Sequence, residues 1–180
     1  INDAKKSLDI LTSYKDSSLT NNQKITKRIA MFDIENGLRQ SEFFPYHDYP
    51  LNQVRGIHHS IISFMSDMHP VRNHNEAKDF IKRTDLAKNV YAGVLDGLQR
   101  QAAAGIFAPE FVYAHVIEQL NEMINYSFDE HPLYTQFMKK AELLEISEEE
   151  FASLETQLIL SIENIVNTGF TLLRDFMAGS

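Results

Sequence analysis

Seven histidines and 25 carboxylates are the side chains of this sequence most able to do chemistry, and their spacing decides which chemistry. A helical zinc peptidase centre needs two histidines one turn apart with a glutamate between them as base. No His-Glu-x-x-His occurs. Adjacent His58 and His59 point about 100° apart on a helix and do not share one ion easily. His69 and His74 flank Pro70 on a turn, where chelation and a plain helix-end role are both open. His115, Glu118 and Glu122 share one helix face. A di-iron bundle needs Glu-x-x-His pairs from two helices, whereas here the order is reversed and the second pair is missing, so the reading is a solvated acidic face. His47 and His131 stand apart from these groups. Glu148, Glu149 and Glu150 suit the positive end of a helix dipole and need no cation. No Gly-x-Ser-x-Gly elbow and no phosphate-cradling glycine loop occurs. No cysteine is present, which excludes disulfides, thiolate zinc sites and cysteine nucleophiles.

What remains is the stretch Tyr49 to His59, YPLNQVRGIHH. A proline-fixed entry, two side-chain amides, a glycine and paired histidines follow one another there. Two roles are open to Asn52 and Gln53. They can cap the next helix or tie the turn to nearby backbone. They can also hold a peptide-like group, because an amide donates and accepts together.

The elements that must carry these residues are helical. Asp3 to Thr12 is a short helix. Thr20 and Gln23 form a capping box, and the helix after it carries Ile25, Ile29, Phe32 and Asn36 on one row. Pro45 and Pro50 interrupt the pattern between Phe43 and Arg55. A helix resumes from Gly56 to Met68, and His69-Pro70 ends it. Asn73 and Glu76 open a long one that runs to Ala104. Gly93 and Gly97 weaken it or admit a close neighbour. Gly105 stops it, and Pro109 suits the first turn of the next helix, with Val112, Val116, Leu120 and Ile124 on a row. Pro132 starts a short helix to about Leu144. Ser147 and Glu150 box the last one, Ile146 staples onto Phe151, and the helix runs from Glu148 to about Met177 through Leu154, Leu158, Ile162 and Ile165. The expected fold is all-α: a single helical domain over residues 1–180. It is an irregular antiparallel array of six or seven helices, two or three of them long.

With 180 residues and 43% hydrophobic composition, the chain can bury a sizeable core. A net charge of −8 argues against a general nucleic-acid binder and against an anionic-membrane binder. No apolar run of about 18 residues suggests a transmembrane helix. A first residue of Ile1 rather than Met reads as a trimmed N-terminus.

The Tyr49–His59 stretch, Arg83, and QRQAAAGIFAPEFV from Gln99 to Val112 resemble a bacterial family called domain of unknown function 885. The aromatic-rich final helix fits as well. The likeness runs from about Phe43 onward, and it implies the N-terminal helical part of a zincin-like metallohydrolase. On that resemblance the whole protein cleaves peptide or amide bonds with a zinc-activated water. This segment then shapes the substrate cleft through Tyr49, Asn52, Gln53 and His58. It holds no metal ligand and is not catalytic alone. Its partners would be the remainder of its own polypeptide and a peptide substrate. Phe170, Leu173, Phe176 and Met177 form the expected docking face for that remainder. Such proteins resemble exported lipoproteins, which favours the cell envelope, periplasmic or lipid-anchored, over the cytoplasm. The rival reading is a non-enzymatic, all-α ligand- or partner-binding module of the envelope.

Overall fold

A computed structural model describes residues 2–43 and 49–180. Every regular element among them is helical, and the chain forms two compact units, residues 1–48 and 49–180. Pro45 and His47 lie outside the described residues. None of the described helices is long and apolar enough to cross a membrane.

The first unit is a helical hairpin of α1 (Asn2–Ser13) and α2 (Asn21–Phe43), joined by a short 3-10 turn at Asp16–Ser18. The expected capping box forms. The Gln23 amide N–H donates to Thr20 Oγ1 at 3.3 Å, and the Thr20 amide N–H donates to Gln23 Oε1 at 2.9 Å. Lys27 ties the turn down, donating to the Tyr14 carbonyl and to Asp16. The row Ile25, Ile29 and Phe32 faces out of the hairpin, more than half exposed at each position. Periodicity reports that apolar residues share a face. It does not report whether that face is covered.

The second unit holds α3 (Ile57–Ser63), α4 (His74–Ala103), α5 (Glu110–Asn125), α6 (Pro132–Ala141), α7 (Glu148–Ser161) and α8 (Thr168–Ala178). Helix α3 runs on into a π-helical turn at Phe64–Met68, and a second π turn, Ile162–Asn167, joins α7 to α8 as one rod. Counting that rod once gives seven helices among the described residues. Three are long: α2, α4 and the α7–α8 rod. The rod lies along α4, while α5 packs against α8 and α6 packs against α7 and the first π turn.

The core is made where these meet. Phe80, Phe137, Phe170, Leu120, Leu133, Leu154 and Leu158 are fully buried. The rod explains its own π turn. Leu154, Leu158, Ile162, Val166 and Phe170 are all buried and spaced by four. In an α-helix each four-residue step overshoots a full turn by about 40°, so such a row spirals off the core. A wider turn inside the row brings it back. For the same reason Val166 is buried, and Ile165, expected on the core row, lines a surface groove instead.

Several local signals are realised in full. Gly105 takes φ +71°, and the amides of Gly105 and Ile106 close onto the carbonyls of Ala102 and Gln101, the double bond pattern of a Schellman stop. Pro132 occupies the first turn of α6. Pro109 is the N-cap of α5 rather than inside its first turn. Only half of the Asn73 box forms. Asn73 accepts the Glu76 amide, but the Glu76 carboxylate turns to the Arg72 backbone amide and guanidinium. Both bonds of the Ser147–Glu150 box are present. Ser147→Ala is therefore expected to cost about 1 kcal/mol in urea unfolding, with an unchanged m-value.

Two expectations are corrected. An added Cβ at Gly93 or Gly97 meets nothing within 4 Å, so neither admits a close neighbour. The close approach is at Gly169, where a Cβ would lie 2.2 Å from the Tyr91 ring. The proposed docking face on the last helix is core: Phe170, Leu173 and Met177 are buried and Phe176 is half-buried. The aromatic crowding there fills the contact with α4 and α5.

Candidate functional site

The Tyr49–His59 stretch folds as a tight turn laid against α5. Leu51 is buried and anchors it. The Asn52 side chain builds the turn: Oδ1 accepts the amides of Val54 (3.0 Å) and Arg55 (2.7 Å), and Nδ2 donates to the Tyr49 carbonyl (3.1 Å). The Gly56 amide donates to the Asn52 carbonyl and the Ile57 amide to the Pro50 carbonyl, delivering the chain into α3.

Gly56 adopts φ −62°, ψ 148°, which any residue can take, so backbone freedom does not require glycine here. Space does. A Cβ would stand 2.3 Å from His58 Cε1 and 2.6 Å from the Asn52 carbonyl oxygen. Gly56→Ala is expected to lower stability by about 1–3 kcal/mol, measured by denaturant unfolding, because a backbone atom and a buried ring must both move.

The turn is locked to α5 by Gln119. Its Nε2 donates to the Gln53 carbonyl at 3.1 Å, and its Oε1 lies 3.1 Å from His58 Nε2. A carbonyl only accepts, so the Gln119 amide orientation is fixed, and His58 Nε2 must carry the proton. His58 Nδ1 is then a bare lone pair, buried without a partner beside Gly56. Burial chiefly, against the opposing Gln119 bond, lowers the His58 pKa to about 4, and the neighbouring His59 adds to the lowering. The ring is neutral at physiological pH.

Tyr49 is half-buried near Tyr113 of α5. Burial first, and the Tyr49 hydroxyl second, raise the Tyr113 pKa. The turn thus sets Gln53 and His58 beside Gln119 and Tyr49 near Tyr113, two positions about 120° apart around α5. Their availability differs. The Asn52 amide is spent inside the turn, and His58 Nε2 is spent on Gln119 of α5. The Tyr49 hydroxyl and the Gln53 side-chain amide make no hydrogen bond to any described residue. Such groups can hold a peptide-like ligand. Among the described residues no nucleophile paired with a base stands beside them.

Gln119 was not singled out from sequence. Its signal is modest: a glutamine adjoining the row Val112, Val116 and Leu120, where the pattern calls for an apolar or a bonded polar residue. The second stretch of resemblance, Gln99 to Val112, ends in the same helix, so both converge on α5. Phe107 and Phe111, at its entrance, are exposed.

The other histidines are placed separately. His69 is buried, with Nδ1 donating to the Pro70 carbonyl and its ring edge-on to Phe80. Lys140 donates to the Ser66 and His69 carbonyls, closing the π turn after α3. His74 pairs with Glu150 at 3.5 Å. His115 and Glu118, 3.9 Å apart, are exposed. His131 is buried and caps α6, its Nδ1 accepting the Leu133 amide. Among the described residues no three His, Asp or Glu side chains converge to hold a metal ion. The zinc implied by the family resemblance therefore has no ligand set there.

No curated protein matches the sequence. A crystal structure described as "the putative lipoprotein from Colwellia psychrerythraea" superposes with a TM-score of 0.82 at 19% identity. It covers 99% of this chain and 32% of its own, so the chain spans about a third of that protein. The family model described as "Bacterial protein of unknown function (DUF885)" matches residues 1–180, the hairpin before Phe43 included. This chain belongs to that family.

Proposed function

We propose that this chain is the N-terminal helical region of a zinc-dependent peptidase or amide hydrolase of the cell envelope. It shapes the substrate cleft and leaves the metal to residues outside it. The observation that carries the cleft role is the turn over α5, with the Tyr49 hydroxyl and the Gln53 amide free beside an inwardly bonded Asn52 and His58. The words zinc and hydrolase rest on the family resemblance alone. The envelope location draws on the description of the Colwellia protein as a lipoprotein.

The test uses the natural polypeptide that carries this sequence. Peptide and acyl-amide substrates are expected to be hydrolysed, and a zinc chelator is expected to abolish that. Gln53→Ala and Tyr49→Phe should lower turnover several-fold while leaving the melting temperature within about 2 °C. Asn52→Ala should instead lower the melting temperature, since its amide builds the turn. Unchanged turnover in the first two variants would overturn the cleft role.

A further inference from the structure

The second unit carries an apolar groove of about 260 Å³ between α3 with its π turn and α4. One wall is Ile57, Ile61 and Phe64, spaced as a single helical row. The other is Leu86, Ala87 and Val90, one turn beyond Arg83. Phe64, Leu86 and Val90 remain 46%, 49% and 40% exposed. Two apolar rows with a furrow between them have the shape that receives a third helix, ridge into groove. Arg83 lines the same groove and makes no hydrogen bond or ion pair with any described residue. A cation left free on a chain of net charge −8 favours an acidic side chain in whatever lies there.

We propose that this groove seats an amphipathic helix from the same polypeptide, beyond Ser180, with its apolar face in the furrow and a carboxylate on Arg83. The argument for that occupant is length. Nearly all of this chain superposes on 32% of the Colwellia protein, so about two thirds of that chain lies outside the shared fold. Arg83 is also one of the residues in which the chain resembles its family. The inference rests on the reading that this chain is part of a longer protein, but not on the chemistry of that protein.

The test is photo-crosslinking in the natural polypeptide, with p-benzoylphenylalanine in place of Leu86 and, separately, of Phe64. Both positions are at the surface, so folding is not at stake. The expected result is a crosslink from each to one peptide beyond Ser180, reduced several-fold by Arg83→Glu. Crosslinks to residues 2–43, to a second copy, or to nothing would overturn it. So would a natural polypeptide that ends at Ser180. Loss of zinc or of hydrolytic activity leaves the crosslink unchanged, so the two proposals fail separately.

Discussion

Lowering the pH from 7.5 to 4.5 is expected to remove several kcal/mol of stability, through two buried histidines. His58 and His131 are fully buried, and burial lowers each pKa from 6.5 to about 4. Above pH 6.5 the folded and unfolded chains both hold these rings neutral, and the full stability is present. Between 6.5 and about 4 the unfolded chain takes up protons that the folded chain refuses, so stability falls as pH falls. A drop of this size is worth about 3 kcal/mol per ring once pH is below both values. At pH 4.5, still just above the folded value, two rings together have lost roughly 5 kcal/mol, comparable to the whole stability of many domains. His69, whose pKa is also lowered mainly by burial, acts in the same direction. Urea unfolding at both pH values measures the loss. His131→Asn, which keeps a polar cap at the start of α6, should remove about half of the dependence. Equal stability at pH 7.5 and 4.5 would contradict the burial of these rings.

Phe80→Ala is expected to cost about 3–5 kcal/mol. Phe80 is fully buried on α4, with the His69 ring edge-on at 5.3 Å and Phe137 at 5.1 Å. Truncation leaves a void between three elements: α4, α6 and the end of α3. That void can collapse by moving Phe137 or His69, and the His69 carbonyl receives Lys140. The loss should therefore spread to the π turn. Urea unfolding gives the magnitude, and faster amide exchange at Phe64–Met68 than in α5 reports where it lands. A loss under 1 kcal/mol would mean this contact is not part of the core.

What was legible in the sequence was local. The Thr20 and Ser147 boxes, Gly105 and Pro132 act within four residues of themselves, and each is realised. Val112, Val116 and Leu120 are buried as their spacing requires, because three in register leave a helix one face to hide. What was not legible depends on residues far away in the chain. Gly169 matters because Tyr91 lies on it, across 78 positions, whereas Gly93 and Gly97 meet nothing. The π turn in the last rod is forced by its fit against α4 and α5, and no residue within it announces that. The face of α8 was assigned to an outside partner because nothing in its own pattern says which side meets α5. The outward row Ile25, Ile29 and Phe32 is the converse case.

The candidate site divides in the same way. The Asn52 turn follows from an asparagine two and three residues ahead of the amides it binds. The lock to α5 does not, since Gln119 lies 61 positions from His58. Burial of His58, and with it the bare Nδ1 beside Gly56, is a product of packing.

The zinc content of the natural polypeptide carrying Tyr49 to His59 tests the central claim most directly. The account predicts about one tightly held zinc per polypeptide, bound outside residues 1–180, with the isolated 180-residue chain holding none. A natural polypeptide that contains no zinc and takes up none when it is supplied would contradict it.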